Sequence, residues 1–530
     1  MHVALRMDDT LRRAVLLYPD VESIVEGDRR WTYRQFQQEV HQLARAMKRM
    51  GVVKGDRVAV LSPNTAAMLQ LFYACFQLGA VVVPLNTRLL PHDYLYIIEH
   101  AEAKLFFADD ELIPLVEPIL SSLTTVSRFV AIPVRGTSGK RADWDSYPEL
   151  LGEESTEPCV DEVEETDLAT ILYTSGTTGK PKGVMHSHRT LFFNMQNTMF
   201  HTRASDSDVL LHTLPMFHVN GWGTPFSYTA VGAKHVMLRK IDPPLIHSLI
   251  KREGVTVACM APTVLNMLIN EPRFHEDKTT GPMRVVIAGS APPTAFVRTV
   301  EQQLGWEFLQ VYGMTECAPL ITVSPIKHHL ANESEETRFR LKAKAGVPML
   351  NVEVRVVDDE DKDVPCDGRS IGEVIARGNM VMEGYWKQPE ATAAAIVNGW
   401  YRTGDMATID AEGYIDIVDR KKDIIISGGE NISSIEVEGI LYEHPAVLEA
   451  AVVSVPHEKW GEVPHAVIVL RPGMEADEVE LDRFCRERMA AFKCPKGFSF
   501  APELPKTASG KIRKVELRQP FWQEKDRLVN

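Results

Sequence analysis

The eleven residues from Tyr173 to Gly183 constrain the fold more than any other stretch of this 530-residue chain. They read YTSGTTGKPKG, so hydroxyl side chains alternate with glycines and two lysines follow. The apolar run Leu168–Leu172 before them predicts a buried strand, and helical spacing begins at Thr190. A loop between a strand and a helix turns backbone N–H groups and hydroxyls toward one point, and the lysines add positive charge. Such a loop suits a polyphosphate ligand.

This loop is not a Walker A motif, because Pro181 follows Gly179 and Lys180 where that motif has Ser or Thr. A single glycine-rich stretch is more often a solvated surface loop. The regular composition of all eleven residues favours a ligand-binding loop over that interpretation.

Length and charge narrow the class of protein. The chain is too long for one hydrophobic core, which predicts two or more domains. A net charge of −14 argues against a nucleic-acid partner. Seven scattered cysteines without a C-x-x-C pair indicate reduced thiols and a cytoplasmic location. The N-terminus lacks the apolar segment of a signal peptide, and no run of 18 apolar residues predicts a transmembrane helix.

Hydrophobic periodicity predicts an α/β fold with a large N-terminal domain over residues 1–420 and a small C-terminal domain over 421–530. Strands and helices alternate over 1–165 and 166–344, which indicates two subdomains of doubly wound sheets. Residues 345–420 are rich in strands and turns, and a small β-barrel subdomain fits them. The C-terminal part reads as a small α+β domain, starting with a hairpin over Tyr414 to Ser427 and a helix capped at Ser433 or Ser434.

Two polar segments follow predicted strands, where open α/β sheets bind ligands. The first is Gly289-Ser290-Ala291, after a strand that ends at Ala288. The second is VYGMTE, in which Tyr312 is suited to stack on an adenine, Thr315 to donate to an α-phosphate and Glu316 to bind Mg²⁺. Further along, YRTGD places the Asp405 carboxylate in a tight turn, where it suits two ribose hydroxyls.

YTSGTTGKPKG resembles the phosphate-binding signature of the adenylate-forming superfamily, which includes acyl-CoA synthetases, luciferases and peptide-synthetase adenylation domains. The resemblance covers nearly the whole chain. It implies an ATP-dependent ligase that forms an acyl-adenylate and then an acyl-CoA thioester, with Mg²⁺ and with ATP and CoA as co-substrates. It also implies a mobile C-terminal domain that rotates between the two steps, with its hinge at Lys422.

Matching this sequence to the family's motifs implies roles for particular residues. The catalytic set is Lys511, Thr315 and His218. Glu316 and Thr174 would bind the metal. CoA would be bound by Gly428, Gly429 and Glu430. The implied ATP- and AMP-binding residues are Thr174, Ser175, Gly176, Thr177, Thr178, Gly179, Lys182, Gly289, Ser290, Ala291, Val311, Tyr312, Gly313, Asp405, Ile417 and Arg420.

The segment TLPMFHVNGW resembles the part of the family that forms the acyl pocket. Amino-acid-activating relatives carry an aspartate where His218 stands, so this sequence argues against an amino-acid substrate. The other pocket candidates are apolar or neutral and predict a fatty or aryl tail: Val219, Trp222, Thr224, Met260 and Met314. The segment PMFHVNGW resembles bacterial and archaeal fatty acyl-CoA synthetases more than coumarate ligases or luciferases, and this resemblance implies a short- to medium-chain aliphatic acid.

Several alternatives stay open at this point. They are an aryl acid–CoA ligase, an adenylation enzyme that loads a carrier protein, a luciferase-type oxygenase and an ATP-binding module without activity. The sequence does not distinguish a monomer from a homodimer. The partners expected from the resemblance are a small carboxylic acid, ATP and CoA.

Overall fold

The computed structural model describes residues 3–134, 141–174, 180–276, 282–289, 292, 294–421, 423–427, 430–506 and 512–522. Within these ranges no helix is both long and apolar enough to cross a membrane. All seven cysteines lie in these ranges, and none forms a disulfide.

The first part of the chain alternates strands and helices, as predicted. Its strands are β1 (Glu22–Glu26), β2 (Arg29–Thr32), β3 (Arg57–Leu61), β4 (Val81–Pro84), β5 (Ala103–Asp109), β6 (Arg128–Ile132), β7 (Asp145–Ser146), β8 (Leu168–Thr174) and β9 (Lys182–Ser187). Its helices are α1 (Asp8–Leu17), α2 (Tyr33–Arg49), α3 (Ala66–Leu78), α4 (Pro91–Ala101), α5 (Tyr147–Gly152) and α6 (His188–Thr202).

Alternation continues through the second part. The strands are β10 (Val209–Leu211), β11 (Lys234–Val236), β12 (Val257–Met260), β13 (Arg284–Ile287), β14 (Glu307–Gly313), β15 (Leu320–Val323) and β16 (Val347–Pro348). The helices are α7 (Thr224–Val231), α8 (Pro243–Glu253), α9 (Pro262–Ile269), α10 (Pro272–Glu276), α11 (Thr294–Arg298) and α12 (Glu335–Ala343).

Strands dominate the third part, and the fourth part mixes both elements. The third has β17 (Val352–Val357), β18 (Gly372–Gly378), β19 (Gly384–Tyr385), α13 (Pro389–Ala395), β20 (Ile396–Val397), β21 (Trp400–Ile409) and β22 (Ile415–Arg420). The fourth has β23 (Ile425–Ser427), β24 (Glu430–Ile432), α14 (Ser434–Tyr442), β25 (Val447–His457), β26 (Gly461–Leu470), α15 (Glu478–Arg486), β27 (Phe498–Phe500) and α16 (Lys514–Trp522).

Two large sheets form the main body of the protein. One has eight strands in the order β19-β9-β8-β4-β3-β5-β6-β7, and the other has nine in the order β16-β15-β14-β13-β12-β10-β11-β1-β2. The inner strands of both pair in parallel, and antiparallel pairs occur toward the edges. The predicted α/β fold with a small C-terminal α+β unit is confirmed.

Helix α3 shows why the large body holds together. All thirteen of its residues are buried, because a helix that is apolar on every face must be enclosed by other elements. It links β3 to β4, which are parallel neighbours, so the predicted βαβ unit is present. Thr65 caps the helix by accepting from the backbone N–H of Met68.

The sheets do not follow the expected division at residue 165. The hairpin β1–β2 comes early in the chain but joins the nine-stranded sheet, with β1 parallel to β11. The strands β8 and β9 come after residue 165 but complete the eight-stranded sheet. Local sequence predicts a strand, whereas the sheet it joins depends on contacts far away in the chain.

Two predictions for the later residues need correction. Ile415–Arg420 (β22) does not form a hairpin with the residues that follow it; it pairs with β21, and β23 forms its own hairpin with β24. The strands β17, β18, β20, β21 and β22 form an antiparallel sheet, but no pairing among the described residues closes it into the expected barrel. The helix cap is confirmed, since Ser433 Oγ accepts from the Glu436 backbone N–H at 3.0 Å.

Candidate active site

The β21–β22 pair brings together the residues that were expected to bind ribose. Asp405 lies opposite Arg420 in the register of the two strands, and Arg420 Nε is 3.3 Å from Asp405 Oδ1. From β14, the Tyr312 hydroxyl donates to the other oxygen, Asp405 Oδ2, at 2.7 Å. A carboxylate, a guanidinium and a phenol from three strands therefore form one connected group.

This group differs from the predicted geometry in one respect. Asp405 lies inside strand β21 and is only 6% exposed, so the tight turn predicted for it is wrong. Gly404 before it has a φ of +69°, a backbone conformation that favours glycine. The sequence suggested a turn because RTGD contains that glycine, but the backbone continues as a strand through it.

The ionisable side chains of this group stabilise one another's protonation states. Burial and the Asp405 carboxylate raise the pKa of Tyr312 well above its usual range, so the phenol keeps its proton and donates it. Burial acts against the charge of Arg420, but Asp405 and Asp423 together raise its pKa. At neutral pH the group therefore presents one carboxylate that a cation and a donor already hold in place.

A second group joins the phosphate-loop lysine to the VYGMTE segment through Tyr385. The Tyr385 hydroxyl donates to Glu316 Oε1 at 2.9 Å, and Lys182 Nζ lies 4.8 Å from the centre of the Tyr385 ring. Strand β19 makes this possible, since it pairs with β9 and places Tyr385 opposite Val184. Burial and the Glu316 charge both raise the pKa of Tyr385, which keeps the hydroxyl a donor.

Glu316 fits the role of a magnesium ligand. Among the described residues, no group of three or more His, Cys, Asp and Glu side chains is arranged around a common point as a metal site. Magnesium at nucleotide sites often needs only one or two carboxylates, because phosphate oxygens and waters complete its shell. Tyr385 fixes one oxygen of Glu316, and an ion bound to the other would offset phosphate charge.

Two glycines allow the backbone to adopt close or left-handed geometry at positions where a ligand is expected. A Cβ on Gly313 would lie 1.8 Å from the carbonyl oxygen of Pro319, so only glycine fits at this end of β14 against the backbone that precedes β15. Gly289, after β13, has a φ of +107°, which other residues rarely adopt. Both positions belong to the predicted nucleotide-binding set.

The segment expected to line the acyl pocket has an unusual backbone, and we name Val219–Gly223 the acid turn. All five of its residues have positive φ: Val219 47°, Asn220 51°, Gly221 59°, Trp222 58° and Gly223 77°. A left-handed turn costs on the order of 1–2 kcal/mol for each residue with a side chain. Such strain persists only where surrounding contacts fix it, and it concentrates at functional sites.

Neutral hydrogen bonds fix the acid turn. Asn220 Nδ2 donates to Thr170 Oγ1 on β8 at 3.1 Å. Asn194 Nδ2 on α6 donates to the Trp222 carbonyl at 3.2 Å, and its Oδ1 accepts from the Leu320 backbone N–H at 3.3 Å. The turn is thus tied to the eight-stranded sheet on one side and, through Asn194, to β15 of the nine-stranded sheet.

The pocket candidates fall into two groups. Val219 and Trp222 are buried, and Met314 packs partly buried against the same apolar core. His218, half-buried, stands directly before the acid turn. Met260 does not belong with them, because its side chain packs in a separate apolar cluster with residues such as Leu265 and Phe308.

Four more of the predicted site residues lie in the described part of the chain. Thr174 ends β8 opposite Lys182, Val311 lies buried in β14, Ile417 lies in β22 opposite Ala407 and Glu430 begins β24. The remaining predicted positions lie outside the described residues: Ser175, Gly176, Thr177, Thr178, Gly179, Ser290, Ala291, Lys422, Gly428, Gly429 and Lys511.

Sequence reasoning missed several residues of the site. Tyr385, Thr170 and Asn194 carry no motif of their own, and each meets its partner across a long stretch of chain. Asn220 lies inside the TLPMFHVNGW segment, and an asparagine beside glycine in an apolar stretch is a signal for a left-handed residue. That signal would have pointed to the acid turn.

Comparison with known proteins finds two matching protein families. The family described as AMP-binding enzyme matches residues 11–386, and its C-terminal domain family matches residues 436–511. The chain is 38% identical to 4-hydroxybutyrate–CoA ligase 2 of Metallosphaera sedula, over 96% of this chain and 93% of that protein. It is 40% identical to a long-chain-fatty-acid–CoA ligase of Thermus thermophilus, over 98% and 96%.

A solved structure resembles the whole chain. The crystal structure of the anthranilate CoA ligase AuaEII in complex with anthranoyl-AMP superposes with a TM-score of 0.90 at 28% identity. The match covers 98% of each chain.

Proposed function

The chain belongs to the AMP-binding enzyme family and is an AMP-forming acid–thiol ligase that uses ATP and CoA; we propose that its acid is a short- to medium-chain aliphatic carboxylate. The observation that carries the proposal is the acid turn. Residues 213–224 contain no acidic side chain, and Val219 and Trp222 are buried in apolar surroundings. A substrate ammonium would find no counter-ion there, whereas the transfer of an apolar tail from water to such surroundings is favourable.

The chemistry proceeds in two displacements. A carboxylate oxygen of the acid attacks the α-phosphorus of ATP, and the bond to pyrophosphate breaks, which gives the acyl-adenylate. The CoA thiolate then attacks the acyl carbonyl, and AMP leaves with the electron pair of the broken C–O bond. The first step concentrates negative charge on the α-phosphate, so positioned donors and cations accelerate it.

We assign the nucleotide contacts as follows. Asp405, held by Arg420 and Tyr312, accepts the ribose hydroxyls. Thr315 donates to the α-phosphate, and Lys511 provides the cation that approaches it. A magnesium ion held by Glu316 and Thr174 would neutralise charge on the departing pyrophosphate.

The remaining phosphate contacts follow the same assignment. Lys182, close to Glu316 through Tyr385, adds positive charge beside the phosphates. The loop Ser175–Gly179 and the segment Gly289–Ala291 supply backbone and hydroxyl donors. Backbone and apolar contacts with the nucleotide are assigned to Val311, Gly313 and Ile417.

The second displacement uses the C-terminal part of the chain. We propose that it rotates about Lys422 and that Gly428, Gly429 and Glu430 then border the pantetheine arm of CoA. His218, beside the acid turn, closes the acid pocket or orients the carboxylate during the first step.

An aryl acid is the second candidate, and the likeness to the anthranilate CoA ligase favours it. The 4-hydroxybutyrate and long-chain-fatty-acid ligases among the relatives favour an aliphatic acid instead. Because those two acids differ greatly in length, we place the preferred chain between them.

A panel of acids tests the proposal. Pyrophosphate release is measured with aliphatic acids from two to sixteen carbons, with benzoate, anthranilate and cinnamate, and with several amino acids, each with and without CoA. We expect the highest kcat/KM for an aliphatic acid of intermediate length and thioester formation only with free CoA. A preference for an aryl acid, or transfer to a carrier protein but not to CoA, would contradict the proposal.

A further inference from the structure

A buried polar cluster lies between the acid side and the phosphate side of the site. Its members are Thr170 on β8, His186 on β9 and Asn220 in the acid turn, and none is more than 1% exposed. Thr170 and His186 are opposite each other in the antiparallel β8–β9 pair, so their side chains lie on one face of the sheet. Asn220 Nδ2 completes the cluster by donating to Thr170 Oγ1.

The cluster also contacts the segment that carries Thr315. Burial lowers the pKa of His186 to about 4. At neutral pH the imidazole is therefore uncharged, with one N–H donor and one acceptor nitrogen. Strand β9, which carries His186, lies against the segment that begins at Thr315, while Thr170 holds the acid turn.

Three atoms of the cluster have no hydrogen-bond partner among the described residues: His186 Nδ1, His186 Nε2 and Asn220 Oδ1. Buried polar groups are nearly always paired in native proteins, because an unpaired group forfeits its hydration. Apolar side chains would stabilise this part of the interior better. The polar side chains therefore need an explanation other than stability.

The position of the cluster suggests that explanation. Strands β8 and β9 lead into and out of the phosphate loop in the sequence. Thr170 on the first strand contacts the acid turn, and the second strand, which carries His186, lies against the Thr315 segment. Adenylate formation requires the acid's oxygen to approach the α-phosphorus in line, and small misplacements in such a reaction slow it strongly.

We propose that Thr170, His186 and Asn220 form one positioning unit, which sets the acid turn and Thr315 relative to each other across the β8–β9 strands. The proposal depends on the adenylate-forming reaction given above. It does not depend on which acid is the substrate. These are positioning residues, since each acts through the acid turn or through Thr315 and not on the substrate itself.

The test is a double-mutant cycle on the full-length protein with Thr170→Val and His186→Phe. Both substitutions keep approximate volume and remove the polar atoms. Each single variant should lower kcat/KM for the acid about tenfold in pyrophosphate release and change KM for ATP less than about twofold. If the two residues act as one unit, the double variant should be scarcely slower than either single variant, because coupled effects are not additive.

Two controls separate positioning from general destabilisation. Thr170→Ser keeps the hydroxyl and should restore the wild-type KM for the acid. Thr10→Val removes an equally buried hydroxyl, which donates to the Met7 carbonyl at 2.7 Å in α1, and should shift only the melting temperature. Multiplicative losses in the double variant, or equal changes in KM for acid and for ATP, would overturn the proposal.

The cycle uses whichever acid gives the highest wild-type rate. An aryl preference would then refute the aliphatic assignment while the cycle still decides the role of the positioning unit.

Discussion

On the nucleotide side of the site, Arg420 at 3.3 Å and the Tyr312 hydroxyl fix the Asp405 carboxylate. On the acid side, side-chain amides of Asn194 and Asn220 fix the left-handed acid turn. The first arrangement positions a charge, and the second positions a strained backbone. The two sides should therefore fail in different ways when they are disturbed.

This difference has a physical basis. The Arg420 side chain is 48% exposed, so salt screens this ion pair, and its loss weakens the binding of a charged ligand. A neutral buried hydrogen bond is insensitive to salt, and its loss frees a backbone that would otherwise relax. Changes in the Asp405 group on the nucleotide side should raise KM for ATP, whereas changes on the acid side should raise KM for the acid.

The largest effect is expected for Lys511→Ala, on the nucleotide side. Removing one cation aimed at developing phosphate charge typically costs on the order of 10²–10³ in rate. Acyl-adenylate formation should fall by that factor, whereas preformed acyl-AMP with CoA should give near-normal thioester. Lys506→Ala is the control, because Lys506 is already paired with Glu449 at 2.5 Å. Adenylate formation at the wild-type rate in Lys511→Ala would show that the assignment is wrong.

The next effect concerns Asp405→Asn, which keeps the shape of the side chain and removes its charge. Hydrogen bonds to a charged group contribute about 1.5–3 kcal/mol, so KM for ATP should rise by roughly ten- to a hundredfold. KM for the acid should stay unchanged. Because Asp405 is buried against Tyr312 and Arg420, the melting temperature should also fall.

Asp359→Asn is the matched control for that variant. Asp359 pairs with Lys421 at 3.1 Å, but its side chain is 91% exposed. Exposed ion pairs contribute little, so neither KM nor stability should change. If Asp405→Asn behaved like this control, the ribose assignment would have to be abandoned.

The sequence predicted the nucleotide side better than the acid side, and the chemistry explains why. Tyr312 follows a predicted strand and Asp405 places a carboxylate in a polar segment, so both could be proposed for the nucleotide from their chemistry. Arg420 was assigned only through the family resemblance. Tyr385 could not be proposed, because it meets Glu316 across 69 residues and no local pattern links the two. The true position of Asp405 within β21 was also missed, since pairing with β22 is a property of two strands.

The full acid turn was not predicted for a related reason, although Asn220 beside Gly221 signals part of it. Only two of its five residues are glycine, and local preference opposes positive φ for valine and tryptophan. Contacts from Thr170 and Asn194 override that preference. Places where tertiary contacts defeat local propensity are where prediction from sequence fails, and they are often functional.

Two glycine-to-alanine variants test whether the acid turn tolerates movement. In Gly223→Ala the new Cβ would lie 2.3 Å from Asn194 Nδ2, at a φ of +77°. In Gly254→Ala, at a φ of +69°, no atom lies within 4 Å. Positive φ alone should cost each variant about 1 kcal/mol in the free energy of unfolding, and the clash should add at least about 1 kcal/mol to Gly223→Ala.

Only Gly223→Ala should alter the reaction. Displacing Asn194 releases the Trp222 carbonyl, so KM for the acid should rise several-fold while KM for ATP stays constant. Steady-state kinetics and thermal unfolding of both variants measure this. Equal melting temperatures and equal KM values for the two variants would mean that the acid turn tolerates movement and does not position the acid.

The smallest effect concerns pH and the histidine pair beneath the acid side. His212 Nε2 lies 3.0 Å from His235 Nδ1, and burial lowers the pKa of His212 to about 3. Asn64 ties the His212 carbonyl to the segment before the acid turn, with contacts to the carbonyls of His212 and Leu214 at 2.7 and 3.0 Å. The acid side therefore depends on a histidine that stays neutral when folded.

The sign of the pH effect follows from that lowered pKa. Between about pH 3 and the ordinary histidine value near 6.5, the unfolded chain binds a proton that the folded protein refuses, so stability falls as pH falls. One such histidine contributes a slope of up to about 1.4 kcal/mol per pH unit below 6.5 and none above it. In His212→Asn, thermal unfolding from pH 8.5 to 5.5 should parallel the wild type at the upper end and fall less steeply at the lower end. Identical slopes below pH 6.5 would show that His212 does not link the acid side to pH.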